Sequence, residues 1–232
     1  MQDANRGNTK KTVILVVIAL VLSAALLAIS IGAGSAKLRS YSEEAADKTA
    51  ASVSDQAKEV DLANALRKQT ADYVYEKESI PAYSYSQVWS MDMSQPSGVT
   101  VDDLKLVTSG NLVGLEEAFV KAEHDYGVNC LFVMGIASLE SANGTICFRP
   151  NNMFGYGSSG FSSKAEGIDV VSRALANSYL TPGGGLYSGT RITDVNRRYA
   201  ASSTWDEKVC RNVTRYYSVI SPNHNSQLEK LK

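Results

Sequence analysis

Four stretches of the chain differ in how their apolar residues are spaced. From Thr12 to Ala36 the sequence TVILVVIALVLSAALLAISIGAGSA runs for 25 residues without a charge. That exceeds the about 20 residues a helix needs to cross a bilayer. SYSEEAADKTAASVSDQAKEVDLANALRKQTADYVYEKES (40–79) follows, rich in Ala, Glu, Lys and Gln, with neither Pro nor Gly. Ala46, Val53 and Val60 recur there at seven-residue steps, which predicts one long helix with a thin, Ala-rich seam. IPAYSYSQVWSMDMSQPSGVT (80–100) loses the helical period and carries Pro81, Pro96 and Gly98, the composition of a linker or of an extended arm laid over the next domain.

From Val101 onward, short amphipathic segments recur. VDDLKLV (101–107) predicts a short helix, and LVGLEEAFVKAEHDYG (112–127) a longer one, apolar through Leu115, Phe119 and Ala122 and closed by Gly127. LFVMGIASL (131–139) forms the uncharged centre of a buried helix from about Cys130 to Ser141, stopped by Asn143-Gly144. After the Asn- and Gly-dense loop FRPNNMFGYGSSGF (148–161), Ser163 and Glu166 stand at capping-box spacing. The helix they open runs through Ile168, Val171 and Leu175 to Tyr179, and TPGGG (181–185) ends it. Thr193 is expected to cap a short turn reaching Tyr199, and Thr204 with Glu207 repeats the capping box ahead of a last helix carrying Val209, Val213, Tyr216 and Ile220. Nothing past residue 100 alternates as a half-buried strand does. The expected fold class is therefore mainly α: a helical domain over 101–232, a linker or arm over 80–100, a helical stalk over 37–79 and an apolar N-terminal segment.

Charge places that segment. Arg6, Lys10 and Lys11 precede it, and Lys37 and Arg39 follow. The positive-inside tendency puts residues 1–11 in the cytoplasm, makes 12–36 a single-pass transmembrane anchor, and sets the rest outside the cell membrane. The rival reading is a cleaved signal peptide ending near GAGSA (32–36), whose apolar core is ordinarily only about 7–15 residues long, so the anchor is preferred. The stalk keeps the domain off the bilayer, about 60 Å if its roughly 40 residues are helical throughout; a stalk-mediated dimer or a membrane-protein partner stays open. The net charge of −1 gives no electrostatic footprint for nucleic acid. Two histidines and three cysteines, with no CxxC pair and no HExxH, point to no metal or other cofactor. Outside the cytoplasm Cys130, Cys147 and Cys210 could supply one disulfide and a free thiol, or all three could be small buried hydrophobes.

The candidate chemistry is in IASLESANGT (136–145). Val133, Ile136 and Ala137 share a helix face with Glu140, the face a domain buries. A carboxylate there is paired, protonated, or set at the mouth of a cleft. The apolar face and the partial negative charge of a helix C-terminus both disfavour its ionised form. A carboxyl group kept protonated is what a glycosidase uses to protonate a leaving oxygen. The bland alternative is a carboxylate paired with an Arg or Tyr in the core.

Three segments, YGVNCLFVMGIASLESANGT (126–145), NNMFGYG (151–157) and RRYAASSTW (197–205), together resemble glycoside hydrolase family 73, the peptidoglycan N-acetylglucosaminidases of the glucosaminidase autolysins. The resemblance covers about residues 100–220. It implies a lysozyme-like helical catalytic domain with Glu140, in the place of the family's A-x-x-E-S-G-x-G-T-S glutamate, as general acid. It further implies that Asn151, Asn152, Phe154, Gly155 and Tyr156 shape the sugar-binding groove, that Tyr199 faces the cleft, and that Trp205 lies close by. Phe154, Tyr199 and Trp205 read equally as packing residues, and paired asparagines often satisfy loop backbone. Ala142-Asn143 replaces the family's usual Gly-Trp, and Cys130 stands where proline is common. The second carboxylate of many members is missing: Glu166 reads as a capping residue, and Asp169 as a residue on the exposed side of the same helix. One acid suffices where the substrate's 2-acetamido group attacks the anomeric carbon. The expected reaction is thus hydrolysis of the β-1,4 GlcNAc–MurNAc bond of peptidoglycan strands. A lytic transglycosylase on the same fold and an inactive wall-binding module are the alternatives.

Overall fold

The computed structural model describes residues 78–230 without interruption and, ahead of them, the helical positions 47–49, 51, 52, 54, 55, 58, 60–62 and 65. The expected anchor at 12–36 and the residues before it lie outside the described residues, as do Ala46 and Val53 of the stalk seam. The chain divides into two units between Lys58 and Glu59, and the helical body over 78–230 belongs wholly to the second. The fold class is mainly α. Among the described residues there is no strand, and no helix is long and apolar enough to cross a membrane.

The body is built from α1 (Tyr85–Trp89), α2 (Val101–Lys105), a 3-10 turn (Gly110–Leu112), α3 (Glu116–Tyr126), α4 (Cys130–Ser141), α5 (Lys164–Ala174), α6 (Ile192–Tyr199) and α7 (Trp205–Lys230). A π-helical turn, Leu175–Tyr179, continues α5. The uncharged α4 is the central rod, packed against α3 and along α7. Gly135 sets how closely α7 approaches: a Cβ there would lie 3.2 Å from Val213 Cγ2 and 3.5 Å from Val209 Cγ1. Across the same contact Ser138 and Tyr216 share a hydroxyl–hydroxyl hydrogen bond of 2.7 Å, and the Asn212 amide donates to the Gly135 carbonyl at 3.2 Å. Ser138, a buried polar residue of an otherwise apolar helix, is therefore satisfied by the neighbouring helix.

Residues 80–100 are an arm laid over the body, and they complete its core. Ile80, Val88, Met93 and Val99 are buried. Ile80 exchanges two hydrogen bonds of 2.9 Å with the Asn225 side chain, the Ser221 hydroxyl donates to Pro81 O, and Met93 bonds through its backbone to Thr190 and Asn129. Such an irregular stretch has no period to reveal it, because distant residues satisfy its backbone. The arm also meets Glu123 of α3, which is 0% exposed. Its carboxylate accepts from Ser97 N–H at 2.9 Å, Ser97 O–H at 2.7 Å, Gly98 N–H at 3.1 Å and Cys130 N–H at 2.7 Å. It thereby joins the arm to the first turn of α4.

Several expected caps differ in detail. Gly127 closes α3 in the left-handed conformation, φ 67°. Ser163 caps α5 by accepting from Glu166 N–H at 3.0 Å, but the Glu166 carboxylate reaches one residue further back, to the amide and hydroxyl of Ser162. Thr193 is not a cap. It lies inside α6, which starts two residues earlier than a cap at 193 would allow, because the Asp194 carboxylate gathers the Arg191 amide and guanidinium (Nε at 2.9 Å). The Thr204–Glu207 box does not form: Glu207 pairs with Arg211 at 3.0 Å, and Thr204 N–H donates to Ser202 Oγ. Asp169 is half-buried and accepts from the Tyr126 hydroxyl at 2.6 Å, so it is not the exposed residue its helix position suggested. All three thiols are free, Cys130 and Cys210 buried and Cys147 half-buried, which decides the cysteine question against a disulfide among them.

Candidate active site

Glu140 occupies the last turn of α4, and the chain turns away directly behind it. Ala142 (φ 48°), Asn143 (φ 57°) and Gly144 (φ 74°) are all left-handed. The turn is held by Ser141, whose hydroxyl donates to Ala137 O at 2.6 Å and accepts from Gly144 N–H at 2.9 Å. Left-handed backbone costs a non-glycine residue roughly 1–2 kcal/mol, so Ala142-Asn143 keeps, under strain, a geometry that glycine adopts freely. The turn leaves the Glu140 side chain half-exposed at an open cleft of about 330 Å³, lined with Leu139, the 200–202 turn, Trp205 and Lys208.

The two carboxylate oxygens have different surroundings. Oε1 accepts from the Trp205 indole N–H at 2.7 Å. Trp205 is the first residue of α7 and only 3% exposed, so its ring is fixed by the core while its one polar atom holds the acid. Oε2 faces Gly155: a Cβ on that residue would lie 3.7 Å away. Gly155 is left-handed at φ 61°, the conformation glycine adopts freely, and a Cβ there would rest in ordinary contact with Oε2.

The 151–157 loop is stiffened from within. The Asn151 amide donates to Phe161 O and Ser162 O at 3.0 and 3.1 Å. Asn152 is buried; its amide donates to Tyr156 O at 2.7 Å and Ser159 O at 2.9 Å, and its Oδ1 accepts from Phe154 and Tyr156 N–H, both at 3.2 Å. Phe154 is 1% exposed and belongs to the core. The side chains of Asn151, Asn152 and Phe154 thus build the loop and do not reach into the cleft. What the loop turns outward is Gly155 and Gly157, both exposed, and Tyr156, half-buried.

Tyr199 ties that loop to α6. Its hydroxyl donates to Phe154 O at 3.0 Å, and its ring lies between Tyr179 (centroids 5.8 Å) and Trp205 (5.1 Å). Burial, and after it the charge of Glu140, push the Tyr199 phenol well above its ordinary value, with Tyr179 and Tyr156 adding to the shift. It is a neutral phenol whose proton is spent on Phe154 and whose oxygen can still accept. Two segments distant in sequence therefore meet at Glu140: residues 199–205, with Tyr199 and Trp205, and the 151–157 loop, with Gly155. Among the described residues Glu140 is the one carboxylate lining the cleft. Sequence reasoning missed Lys208 and the 200–202 turn as cleft residues. Their signal was proximity: Lys208 follows Trp205 by three positions, one helical turn.

No protein-family model matches the chain, and no curated protein does. Among solved structures, the crystal structure of S. aureus autolysin E shows weak similarity, with a TM-score of 0.47 and 18% sequence identity over 58% of this chain and 73% of that one.

Proposed function

We propose that this chain is a glycoside hydrolase that cuts peptidoglycan strands at the β-1,4 bond following N-acetylglucosamine, with Glu140 as general acid. The setting of Glu140 carries this reading: a half-exposed carboxyl at an open cleft, one oxygen tethered and the other free. An indole N–H can only donate. It holds Oε1 as an acceptor in either protonation state, so the proton of the acid form falls to Oε2, the oxygen beside Gly155. A general acid needs this arrangement, a fixed orientation and a proton directed at the groove. The motif resemblance over 126–145, 151–157 and 197–205 supports the substrate class.

With Glu140 the single acid at the cleft, the substrate's acetamide supplies the nucleophile. Its carbonyl oxygen attacks the anomeric carbon as the Glu140 proton passes to the departing oxygen. The Glu140 carboxylate then takes a proton from the water that opens the resulting ring. The Tyr199 oxygen accepts from the acetamide N–H and so orients it. In this reading residues 12–36 anchor the enzyme in the cell membrane with the helical body on the wall side; extraction of the protein by carbonate wash alone would refute the anchor.

The test is product analysis with the 232-residue chain on purified peptidoglycan strands. New reducing GlcNAc ends are expected, and Glu140→Gln should lower their formation by the 10²–10⁴-fold typical of general acid catalysis, roughly. A loss below about tenfold removes Glu140 from the role. Anhydro-sugar products would replace hydrolysis with a transglycosylase reaction at the same acid, and strand binding without turnover in the parent chain would leave a binding module.

A further inference from the structure

The cleft contains a cation that no acid among the described residues neutralises. Lys208 lines the same cavity as Glu140 and Trp205 and is exposed there. Several cations on the described helices pair with acids one turn away, Lys105 with Asp102, Lys121 with Asp125 and Arg211 with Glu207, while Lys164 donates to the Gly144 carbonyl and Arg215 lies over the Tyr216 ring. Lys208 has no such neighbour. The residues three and four positions from it are Thr204, Trp205, Arg211 and Asn212, none acidic and one a like charge. Glu207 beside it is taken by Arg211, and the Asp206 carboxylate accepts from the Glu207 amide at 2.9 Å. Among the described residues Lys208 has no acidic partner.

The substrate chemistry of the proposed function supplies one. The oxygen that Glu140 would protonate is O4 of an N-acetylmuramic acid residue. That sugar carries a lactyl group on O3, on the adjacent carbon. In the proposed binding mode the lactyl carboxyl therefore lies at the cleft that holds Glu140. Where a stem peptide is attached, this carboxyl is a neutral amide; where the peptide has been removed, it is a full negative charge. Once Glu140 has passed its proton to the departing oxygen, a free carboxylate beside it is a like-charge contact unless a cation meets it.

We infer that Lys208 receives the lactyl carboxylate, and that the preferred substrate is a glycan strand already stripped of its peptides. The inference rests on the function proposed above and names its substrate more closely. It also orders the reaction: hydrolysis of the lactyl–peptide amide comes first and supplies this substrate. Hydrogen bonds between charged partners are roughly twice as strong as neutral ones, and the preference expected for peptide-free over peptide-bearing strands of equal length is about tenfold in kcat/KM, expressed mainly in KM.

The experiment compares the two strand types with the parent chain, Lys208→Gln and Lys208→Arg. It is read both as initial rate and as binding to the Glu140→Gln chain, each at two salt concentrations. The expected result is a preference for peptide-free strands that weakens with salt, disappears in Lys208→Gln and persists in Lys208→Arg. Equal use of both strands by the parent chain overturns the inference, as does a preference that Lys208→Gln retains. The two readouts separate this idea from the one beneath it. Cleavage without preference leaves the hydrolase standing and removes the lysine's role; a binding preference that depends on Lys208, with no cleavage by the parent chain, does the reverse.

Discussion

Replacing Glu123 by glutamine puts an amide NH2 where four donors converge on a carboxylate. Oε2 accepts three of them, Ser97 N–H, Ser97 O–H and Cys130 N–H, so the least costly orientation keeps the amide oxygen there and turns NH2 toward Gly98 N–H. That leaves one backbone donor unsatisfied in a fully buried place, a cost of about 1–3 kcal/mol. The three surviving bonds lose their ionic partner, roughly 0.5–1 kcal/mol each. A neutral amide is easier to bury than a carboxylate, which offsets part of the loss. The net expectation is about 3 kcal/mol of destabilisation, or roughly 6–12 °C in Tm for a body of this size. Urea denaturation followed by far-UV circular dichroism measures it, with the m-value unchanged. Cleavage per folded molecule should also be unchanged, because Glu140 lies about 15 Å along α4 from Cys130. A loss below about 1 kcal/mol would refute the claim that ionic hydrogen bonding at this residue joins the arm to α4.

Other expected outcomes concern the site itself and alkaline stability. Trp205→Phe keeps the ring but removes the donor to Glu140; a hydrogen bond to a charged group is worth about 1.5–3 kcal/mol, so kcat should fall about tenfold to 150-fold with the fold retained, and an unchanged kcat would dismiss the tether. Gly155→Ala places a methyl beside Oε2 and strains a left-handed residue by roughly 1–2 kcal/mol; turnover should fall by far more than that stability loss explains, and parallel losses would make the glycine merely conformational. Burial raises the phenols of Tyr126, Tyr179, Tyr199, Tyr216 and Tyr217 above their unfolded values. Their contribution is fully present below about pH 10 and lost as pH rises beyond it, so denaturation midpoints should decline over that range together with the rise in tyrosinate absorbance. Flat midpoints would contradict the burial.

The parts of the fold legible in the sequence are those with local causes. α4 could be placed because nine consecutive uncharged residues, Leu131 to Leu139, end in a glutamate and an Asn-Gly stop, and α3 because Gly127 alone suits its left-handed end. The parts missed have distant causes. Residues 80–100 read as a linker or an arm, without the short helix α1 within them, and the hydrogen bonds to Asn225, Ser221 and Thr190 that order them, none near in sequence, had no local signal. Glu123 reads locally as one more charge on an amphipathic helix, and only the return of Ser97 and Gly98 makes it a buried acceptor. Thr193 is a better cap by residue type than Arg191, yet the helix starts at Ile192 because the Asp194 carboxylate, at its third position, holds the Arg191 amide and guanidinium. Trp205 is the instructive case at the site. Its packing role was readable, but its bond to Glu140 spans 65 positions and belongs to the meeting of α4 and α7.

A motif rich in asparagine and tyrosine invites the reading that its polar atoms contact a ligand. A sharply turned loop must first satisfy its own backbone, and residues able to do so are the same short amides. Asn151 and Asn152 spend their side chains in this way, and Tyr199 spends its proton on Phe154. On the proposed function, recognition falls to groups that folding leaves unspent: Oε2 of Glu140, the accepting lone pairs of Tyr199 and the ammonium of Lys208. Those three are an acid, an acceptor and a cation, and a muramic acid residue joined to an N-acetylglucosamine offers their complements, a glycosidic oxygen, an acetamide N–H and a carboxylate. A chitin chain offers only the first two. The proposed site thus offers one group more than cleavage of a plain GlcNAc polymer would use, and that surplus charge is the reason we propose muramic acid, with its carboxylate free, on the leaving side of the bond.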